Sequence, residues 1–506
     1  MSVSLLLEMA VSADPDRVAV VSENTRVTAA ELHGMARRGG THIAGSGARS
    51  VVYVGTGGAM LPLLIFASAH GGIPFTPLNY RLGEGALHEL IARLPEPLVV
   101  ADREYLQTMW RSGADVIESQ AFLDLASASG DTGEEVAVDP DDVAVVLFTS
   151  GTTSKPKAVE LSHSNLSGYV MATVEFASAG SDDAALVCVP PYHVAGVSAA
   201  LSNLYAGRRV VYLRQFDAQR WVSLVRSENI TNGTVVPTML ERIVVELEHN
   251  PTSLPSLRAL AYGGSKVALP LVRRTLELLP DVGLVNAYGL TETSSTIAVL
   301  TPEDHWAARD SHNPEIVGRL GSVGRPVPGI EIQIRDESGT VLPAGAPGQL
   351  FVRGPQVSGR YTGIGSVLDD DGWFPTRDLA TVDRDGYVFV AGRSDDTIIR
   401  GGENIAPAEV EEVLVEHPDV AAVAVVGVED DEWGQAMVAV VVPRDGTDPD
   451  AEDLRAFVRS RARGSRTPDR IVFRGDLPVT ETGKLLRRVL VAELTEALQY
   501  QGRDVR

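Results

Sequence analysis

Cysteine and lysine are both nearly missing from this sequence. A single cysteine, Cys188, excludes an intramolecular disulfide framework and a multi-cysteine metal site, and it fits a reducing compartment. Positive charge is short overall: 44 Lys and Arg stand against 67 Asp and Glu, for a formal charge of -23. That balance excludes a general nucleic-acid or anionic-membrane surface, so a phosphate-bearing ligand needs a local cluster of donors. No uninterrupted apolar run approaches the roughly 20 residues that cross a bilayer. The opening stretch lacks a basic start and its apolar run stops at Glu8, so no signal peptide is expected and a cytoplasmic location is. Internal repeats, low-complexity tracts, a His-Glu-x-x-His zinc motif and a Gly-x-Ser-x-Gly elbow are all missing as well. What is present, 44% hydrophobic and 22% charged residues over 506 positions, is the balance of a soluble globular protein of roughly two to four domains.

The few lysines are informative. They are Lys155, Lys157, Lys266 and Lys484; the other 40 basic residues are arginine. A coding bias towards arginine accounts for the scarcity but not for the placement. Lys155 and Lys157 share one Gly/Ser/Thr-rich loop, and Lys484 follows Gly483 in a turn-like stretch. A compact ammonium on a flexible stem reaches between two oxygens where a planar guanidinium does not fit. At least two of these lysines are therefore expected to touch a ligand phosphate, whereas Lys266 reads as a surface residue.

Short β-branched runs alternate with helix-like segments through the first three quarters: Val143 to Phe148, Ala185 to Val189, Arg209 to Leu213 and Leu284 to Tyr288. This spacing predicts an α/β architecture with largely parallel sheets. After about residue 320 the pattern changes to alternation, as in Gly329 to Ile334, with Asp385-Gly386 as a hairpin turn. A small β-rich subdomain is expected at about 320–394. A joint near Arg393-Ser394-Asp395-Asp396 separates an N-terminal domain, 1–394, from a small mobile α+β domain, 395–506. In the latter, Thr397 to Ile399, Ala421 to Val428 and Ala436 to Val442 read as strands. Ala408 to Leu414 reads as a helix behind Pro407, and Asp453 to Arg463 as another.

The strongest local signal is Thr149-Ser150-Gly151-Thr152-Thr153-Ser154-Lys155-Pro156-Lys157. A buried strand delivers hydroxyls, convergent backbone N–H groups and two cations, which is chemistry for holding phosphates, although the Walker A spacing is not there. Val51 to Met60 begins like a dinucleotide fingerprint, but Met60 replaces the third glycine and Glu84 is no strand-end acid, so NAD binding is rejected. The phosphate-type loop resembles the signature of the adenylate-forming superfamily of acyl- and aryl-CoA synthetases, firefly-type luciferases and peptide-synthetase adenylation domains. Further segments are similar to that family in the same order: Ala287-Tyr288-Gly289-Leu290-Thr291-Glu292-Thr293, Gly372 to Leu379, Gly392 to Asp396, Gly401-Gly402-Glu403-Asn404-Ile405, and Pro478 to Lys484. Together they span about 15–490.

The resemblance implies roles for particular residues. ATP or AMP would be bound by the loop Thr149 to Lys155 with Lys157, by Gly263, Gly264 and Ser265, by Asn286, Ala287, Tyr288 and Gly289 around adenine, and by Asp378 and Arg393 at the ribose. Thr291 would face the α-phosphate, and Glu292, with Thr149, a Mg²⁺ ion. Lys484 would be catalytic, reaching between the substrate carboxylate and the α-phosphate. Tyr192, His193 and Gly196 would line or gate the acyl pocket, together with segments Tyr192 to Ser202, Asn232 to Met239 and Ala298 to Leu300; a purely structural histidine remains an alternative there. No aspartate stands in Tyr192 to Gly196 to hold an amino group, which argues against an α-amino acid substrate. Asp395 would be the hinge, and Gly401, Gly402 and Glu403 would complete a channel for CoA. Arg377, in place of the family's glycine, together with Thr397, Gln349 and Lys266, departs from the pattern.

The implied activity is ATP- and Mg²⁺-dependent conversion of a fatty or aryl carboxylic acid to an acyl-adenylate and then to acyl-CoA, as in fatty-acid and lipid metabolism. The small side chains at Ala195, Gly196, Ser198, Ala199 and Ala200 hint at room for a bulky acid. Two alternatives stay open: transfer of the acyl group to a carrier protein, an amine or oxygen, and a non-enzymatic adenylate-binding sensor. The context Pro478 to Lys484 also fits a lysine acetyltransferase acting on Lys484, which would remove the charge that adenylation needs.

Overall fold

The computed structural model describes the chain except Asn24, 129–132, 150–155, 401–402, 431–432, 463–465, 481–484 and 502–506; the side chains of Asn404 and 497–501 are also outside the described set. A large N-terminal domain is built on two parallel-rich sheets. The first has nine described strands, in the order Arg325–Pro326, Ser295–Leu300, Gly283–Leu290, Ala259–Gly263, Asn232–Val235, Ala184–Val187, Arg209–Tyr212, Val18–Ser22 and Thr25–Thr28. The run from Gly283–Leu290 to Val18–Ser22 is parallel and the edge strands are antiparallel. Helices connecting parallel strands cover such a sheet, so its strands are nearly continuous in apolar residues. Strand Ala184–Val187 shows this directly: all four of its residues are buried, with no polar alternation.

The second sheet carries Ser50–Val54, Phe75–Pro77, Pro97–Ala101 and Asp115–Glu118 in parallel, continued by Val143–Thr149. Lys157–Ser162 then pairs antiparallel with Val143–Thr149, which makes a hairpin of the stretch flanking the phosphate-type loop. The helix Met60–His70 is buried along its whole length and packs with the helix Ala29–Gly45. The second of these is opened by a capping box between Thr28 and Glu31.

One expectation is refined in the window 320–394. Only Glu331–Arg335, Gly348–Arg353, Phe374–Val382 and Val388–Arg393 form the separate antiparallel sheet. Arg325–Pro326 belongs to the nine-stranded sheet, and Arg360–Tyr361 pairs with Lys157–Ser162 of the second sheet. The segment is therefore a seam that stitches three sheets. Local alternation cannot reveal this, because strand partners are chosen by tertiary packing.

Beyond the 3₁₀ turn Ser394–Asp396 lies the small C-terminal domain: a hairpin of Ile398–Arg400 with Glu403–Ile405, and a sheet of Val420–Asp430, Gly434–Pro443 and Arg470–Phe473. Helix Pro407–Val415 begins with its proline at the first turn, and Ala451–Arg461 is capped by Asp450. This domain has its own core, with Val410, Leu414, Val425 and Met437 fully enclosed. Among the described residues no helix is long and apolar enough to cross a membrane.

Candidate active site

The site is assembled where the three sheets of the large domain meet. Strand Gly283–Leu290 ends in the tight turn Thr291–Thr293, after which Ser294 takes a left-handed backbone at φ 56°. The Thr293 hydroxyl, fully buried, is shared between Leu290 N–H at 3.0 Å and the carbonyls of Leu290 and Ser295 at 3.0 and 2.9 Å. The Gln356 amide donates to the carbonyls of Thr293 and Thr296 at 3.0 and 2.8 Å. Buried polar groups that are all bonded hold one geometry, and this one presents Thr291 and Glu292 at the end of the strand.

Glu292 accepts from the Tyr361 hydroxyl at 2.8 Å, while its own carbonyl accepts from Ser358 N–H at 2.8 Å. The Lys157 ammonium stands 5.4 Å from the centre of the Tyr361 ring. Lys157 is the register partner of Thr149, whose hydroxyl donates to the Lys157 carbonyl at 3.4 Å. Thr149, Lys157, Tyr361 and Glu292 thus form one wall. Burial and the nearby Glu292 charge push the Tyr361 phenol up, so it remains a donor at neutral pH. Ser150 to Lys155 lie outside the described residues.

A second wall comes from the small antiparallel sheet. Asp378 is 5% exposed and is the register partner of Arg393, which donates to it at 3.2 Å. The Tyr288 hydroxyl donates to the other carboxylate oxygen. Burial, followed by the Asp378 charge, drives the Tyr288 phenol well above its ordinary range. A carboxylate has about four acceptor positions, so Asp378, oriented by these donors, can also accept from ligand hydroxyls.

Gly263, Gly264 and Ser265 lie at the end of Ala259–Gly263, with Gly263 opposite Ala287. A Cβ on Gly263 would stand 2.1 Å from the Ala287 carbonyl oxygen; the glycine lets the two strands approach. Asn286 donates to the Ser322 carbonyl at 3.2 Å, and Gly289 continues the strand beside Thr296.

The segment expected to line the acyl pocket is built differently. Tyr192 is buried, with its ring 4.5 Å from that of His193 and 5.7 Å from that of Tyr80. His193 precedes helix Val194–Ala206, and burial pushes its imidazole down to about 4, so it is neutral at pH 7. Ser198 donates to Ser295 at 3.1 Å, linking this helix to the strand that follows the Thr291–Thr293 turn. The small residues of the helix have packing duties of their own. Ala199 and Ala200 sit in the main core, and a Cβ on Gly196 would come 2.6 Å from the Pro190 carbonyl oxygen. Met239 and Cys188 touch at 3.8 Å between sulfurs, and burial pushes the Cys188 thiol up to about 12, which leaves it unreactive.

The residues expected from the C-terminal domain divide. Lys484, Gly401 and Gly402 lie outside the described residues, although Val479 and Leu485, on either side of 481–484, are antiparallel partners. Glu403 pairs with Arg466 at 2.8 Å. Asp395 faces Arg377, 3.6 Å away, and Lys266 is ion-paired to Glu412. The dinucleotide-like stretch has its N–H groups engaged internally: Thr56 N–H to Asp102 at 3.0 Å and Gly57 N–H to the Tyr53 hydroxyl at 3.2 Å. Tyr361, Gln356 and Ser295 were not singled out by sequence. Tyr361 and Gln356 lie outside every motif and reach the site only through tertiary pairing, whereas Ser295 directly follows the Thr291–Thr293 turn and its nearness to the motif was the available signal.

Among the described residues no three His, Cys, Asp or Glu side chains gather as a metal cluster. Mg²⁺ asks for less, because one or two carboxylates with phosphate oxygens and waters suffice. Glu292, fixed by Tyr361 and adjoining the Thr149 hydroxyl strand, supplies hard oxygen donors of the kind that ion takes.

Comparison with known proteins extends over nearly the whole chain. The family model described as AMP-binding enzyme matches residues 7–362, and that of the AMP-binding enzyme C-terminal domain matches 409–484. A feruloyl-CoA synthase of Amycolatopsis sp is 34% identical over 480 residues, covering 94% of this chain and 95% of the relative. An indoleacetate–CoA ligase of Aromatoleum aromaticum is 34% identical over 508 residues, covering 95% and 96%. The ATP-bound MatB structure from Rhodopseudomonas palustris superposes with a TM-score of 0.88 at 25% identity, covering 98% of this chain and 100% of that one.

Proposed function

Because the chain belongs to the AMP-binding enzyme family, we propose that it is an AMP-forming acid–thiol ligase acting on a bulky carboxylic acid of the aryl or arylalkanoic class. The observation that carries the site assignment is the convergence of Glu292 with Tyr361 and of Asp378 with Tyr288 and Arg393 at the meeting of three sheets. Relatives named for ferulate and indoleacetate support an aryl acid ahead of a fatty one.

Carboxylate and triphosphate repel one another, so catalysis here is positioning and charge neutralisation. Asp378 accepts the ribose hydroxyls and Tyr288 lies against adenine. Thr149, Lys157 and the loop between them hold the phosphates, with Thr291 at the α-phosphate. Mg²⁺, when bound at Glu292, offsets triphosphate charge. Lys484 approaches the reacting oxygens from the small domain. A substrate carboxylate oxygen bonds to the α-phosphorus as the bond to pyrophosphate breaks, giving acyl-adenylate. In the second half-reaction the CoA sulfur bonds to the activated carbonyl, AMP leaves with the bonding pair of the C–O bond, and the thiol proton is released. The neutral His193 lines the acyl side without adding a charge beside the carboxylate. Lys484 and the Gly401-Gly402-Glu403 loop serve the two steps in turn by rotation of the small domain about Asp395. Acetylation of Lys484 would stop the first step, and an acetylated sample with full adenylation activity would overturn that point.

The test is pyrophosphate release with ATP and Mg²⁺ across benzoic, cinnamic, arylacetic and fatty acids, each with and without CoA. Turnover that needs CoA, greatest with an aryl acid and yielding its thioester, is the expected result. Release indifferent to CoA would move the acceptor to a carrier protein or amine. No release with any acid would overturn the reading in favour of an adenylate-binding protein.

A further inference from the structure

The turn Ser394–Asp396 is the covalent link between the last strand of the large domain, Val388–Arg393, and the first of the small one, Ile398–Arg400. Its two adjacent carboxylates are held from opposite sides. Asp395 faces the Arg377 guanidinium of the large domain at 3.6 Å, and the Ser394 hydroxyl donates to the Arg377 carbonyl at 3.1 Å. Asp396 faces Arg487 of the small domain at 3.4 Å. Arg487 also binds Glu411 and the Val425 carbonyl, the latter at 2.9 Å.

Arg377 occupies its position against a conformational preference. Its φ is +62°, a region that side-chain-bearing residues rarely enter and glycine enters freely. Such a backbone persists where surrounding contacts over-determine it. Here those contacts are the antiparallel pairing of its neighbour Asp378 with Arg393 and its own two contacts with the turn. The two anchors differ in strength. Their carboxylates are alike, Asp396 34% exposed and Asp395 32%, but Arg487 is 19% exposed and also bound to Glu411, itself 17% exposed, whereas Arg377 is 48% exposed. A half-exposed ion pair is weak and screened by salt; an enclosed, hydrogen-bonded one is expensive to break.

We propose that Arg377 is a positioning residue for the alternation between the two half-reactions, anchoring Asp395 to the large domain while Arg487 anchors Asp396 to the small one, so that rotation is confined to the peptide link between them. This rests on the ligase reading above. The weak anchor keeps Asp395 with the large domain while the strong one travels with Asp396 and the small domain, and loss of the weak one lets the pivot spread beyond that link. Arg377 therefore sets how readily the joint turns, without contacting the reacting atoms.

The test compares wild type with Arg377→Gly, Arg377→Lys, Asp395→Asn and the Arg377→Gly/Asp395→Asn double variant. Adenylation, read as pyrophosphate release, and thioester formation from preformed acyl-adenylate are measured separately. Arg377→Gly and Asp395→Asn should shift the ratio of the two rates in the same direction by roughly two- to five-fold. The double variant should go no further than the larger single one, and Arg377→Lys should restore part of the ratio. Raising salt should move the wild-type ratio towards the variants and leave Arg377→Gly unmoved. Additive single effects, or equal losses in both rates with a raised KM for ATP, would overturn the proposal and make Arg377 a nucleotide-side residue. Limited trypsin digestion supplies a readout that needs no activity: cleavage at Arg393 and Arg400 should quicken roughly two- to five-fold in Arg377→Gly, without new cuts elsewhere. Unchanged cleavage there would also overturn it. A wild type that releases no pyrophosphate with any acid fails the ligase reading, while the digestion still decides the anchor.

Discussion

The two sides of the site are made of different material. On the nucleotide side, charged and hydroxyl groups sit at strand ends, each fixed by a named partner: Asp378 by Tyr288 and Arg393, Glu292 by Tyr361, the Thr291–Thr293 turn by Gln356. On the acyl side, aromatic and small residues pack into the same core that supports the domain, with Tyr192 against Tyr80 and Ala199 among the buried apolar residues. Polar recognition needs a particular atom at a particular place, so few residue types serve. Apolar enclosure needs only volume and shape, which many combinations provide. In the function proposed above, a nucleotide shared by every acid substrate meets the constrained side, and the acid that varies meets the permissive one.

The largest effect expected on this contrast is at Lys484. Lys484→Ala should lower adenylation by roughly 10²- to 10³-fold, the loss typical of one preorganised electrostatic group, while thioester formation from preformed adenylate changes by only a few-fold. Equal losses in both half-reactions would remove it from the first step. Next, Asp378→Asn should lower kcat/KM for ATP by roughly 10- to 100-fold, the share of a charge-assisted hydrogen bond, by the same factor for every acid. A loss that varies from acid to acid would erase the division between the two sides.

Gly263→Ala places a methyl 2.1 Å from the Ala287 carbonyl oxygen. The strands must part, costing about 1–3 kcal/mol of stability and raising the KM for ATP, with the ranking of acids preserved. Denaturant melts and ATP titrations of the same sample check both halves of that statement.

The smallest effect is at His193. Its folded imidazole is pushed down to about 4 by burial, below the ordinary value of about 6.5. The unfolded chain therefore binds the proton more readily, and the stability that neutral His193 contributes is complete above about 6.5 and is lost as pH falls towards 4. His193→Asn should flatten that part of the stability–pH curve and reorder the acids by a few-fold, leaving the KM for ATP alone. An unaltered curve would mean that His193 is not buried as the neutral form.

Much of the proposed nucleotide side could be singled out before any coordinates because its motifs are local. Tyr288, Thr291 and Glu292 fall within one strand end and its turn, and Asp378 within a single strand. Tyr361 was invisible for the opposite reason. Its hydroxyl matters only because Arg360–Tyr361 leaves the antiparallel seam and joins Lys157–Ser162, 202 positions away in the contact between Thr362 and Glu160. Arg377 was visible as a departure from pattern, but its partner and its left-handed backbone were not. The small residues of helix Val194–Ala206 looked like room for substrate; Ala199, Ala200 and Gly196 are also required by the core and by the Pro190 carbonyl.

By itself the sequence determined the α/β class and the succession of motifs by which the chain resembles its family, since strand periodicity and short polar motifs are properties of neighbouring residues. Only the tertiary structure decided which sheets share the segment after Leu320, which donors hold Asp378 and Glu292, and which arginine holds each carboxylate of the Ser394–Asp396 turn. Those are contacts between residues far apart in the chain. Their partners are selected by the packing of whole sheets, which no local pattern encodes.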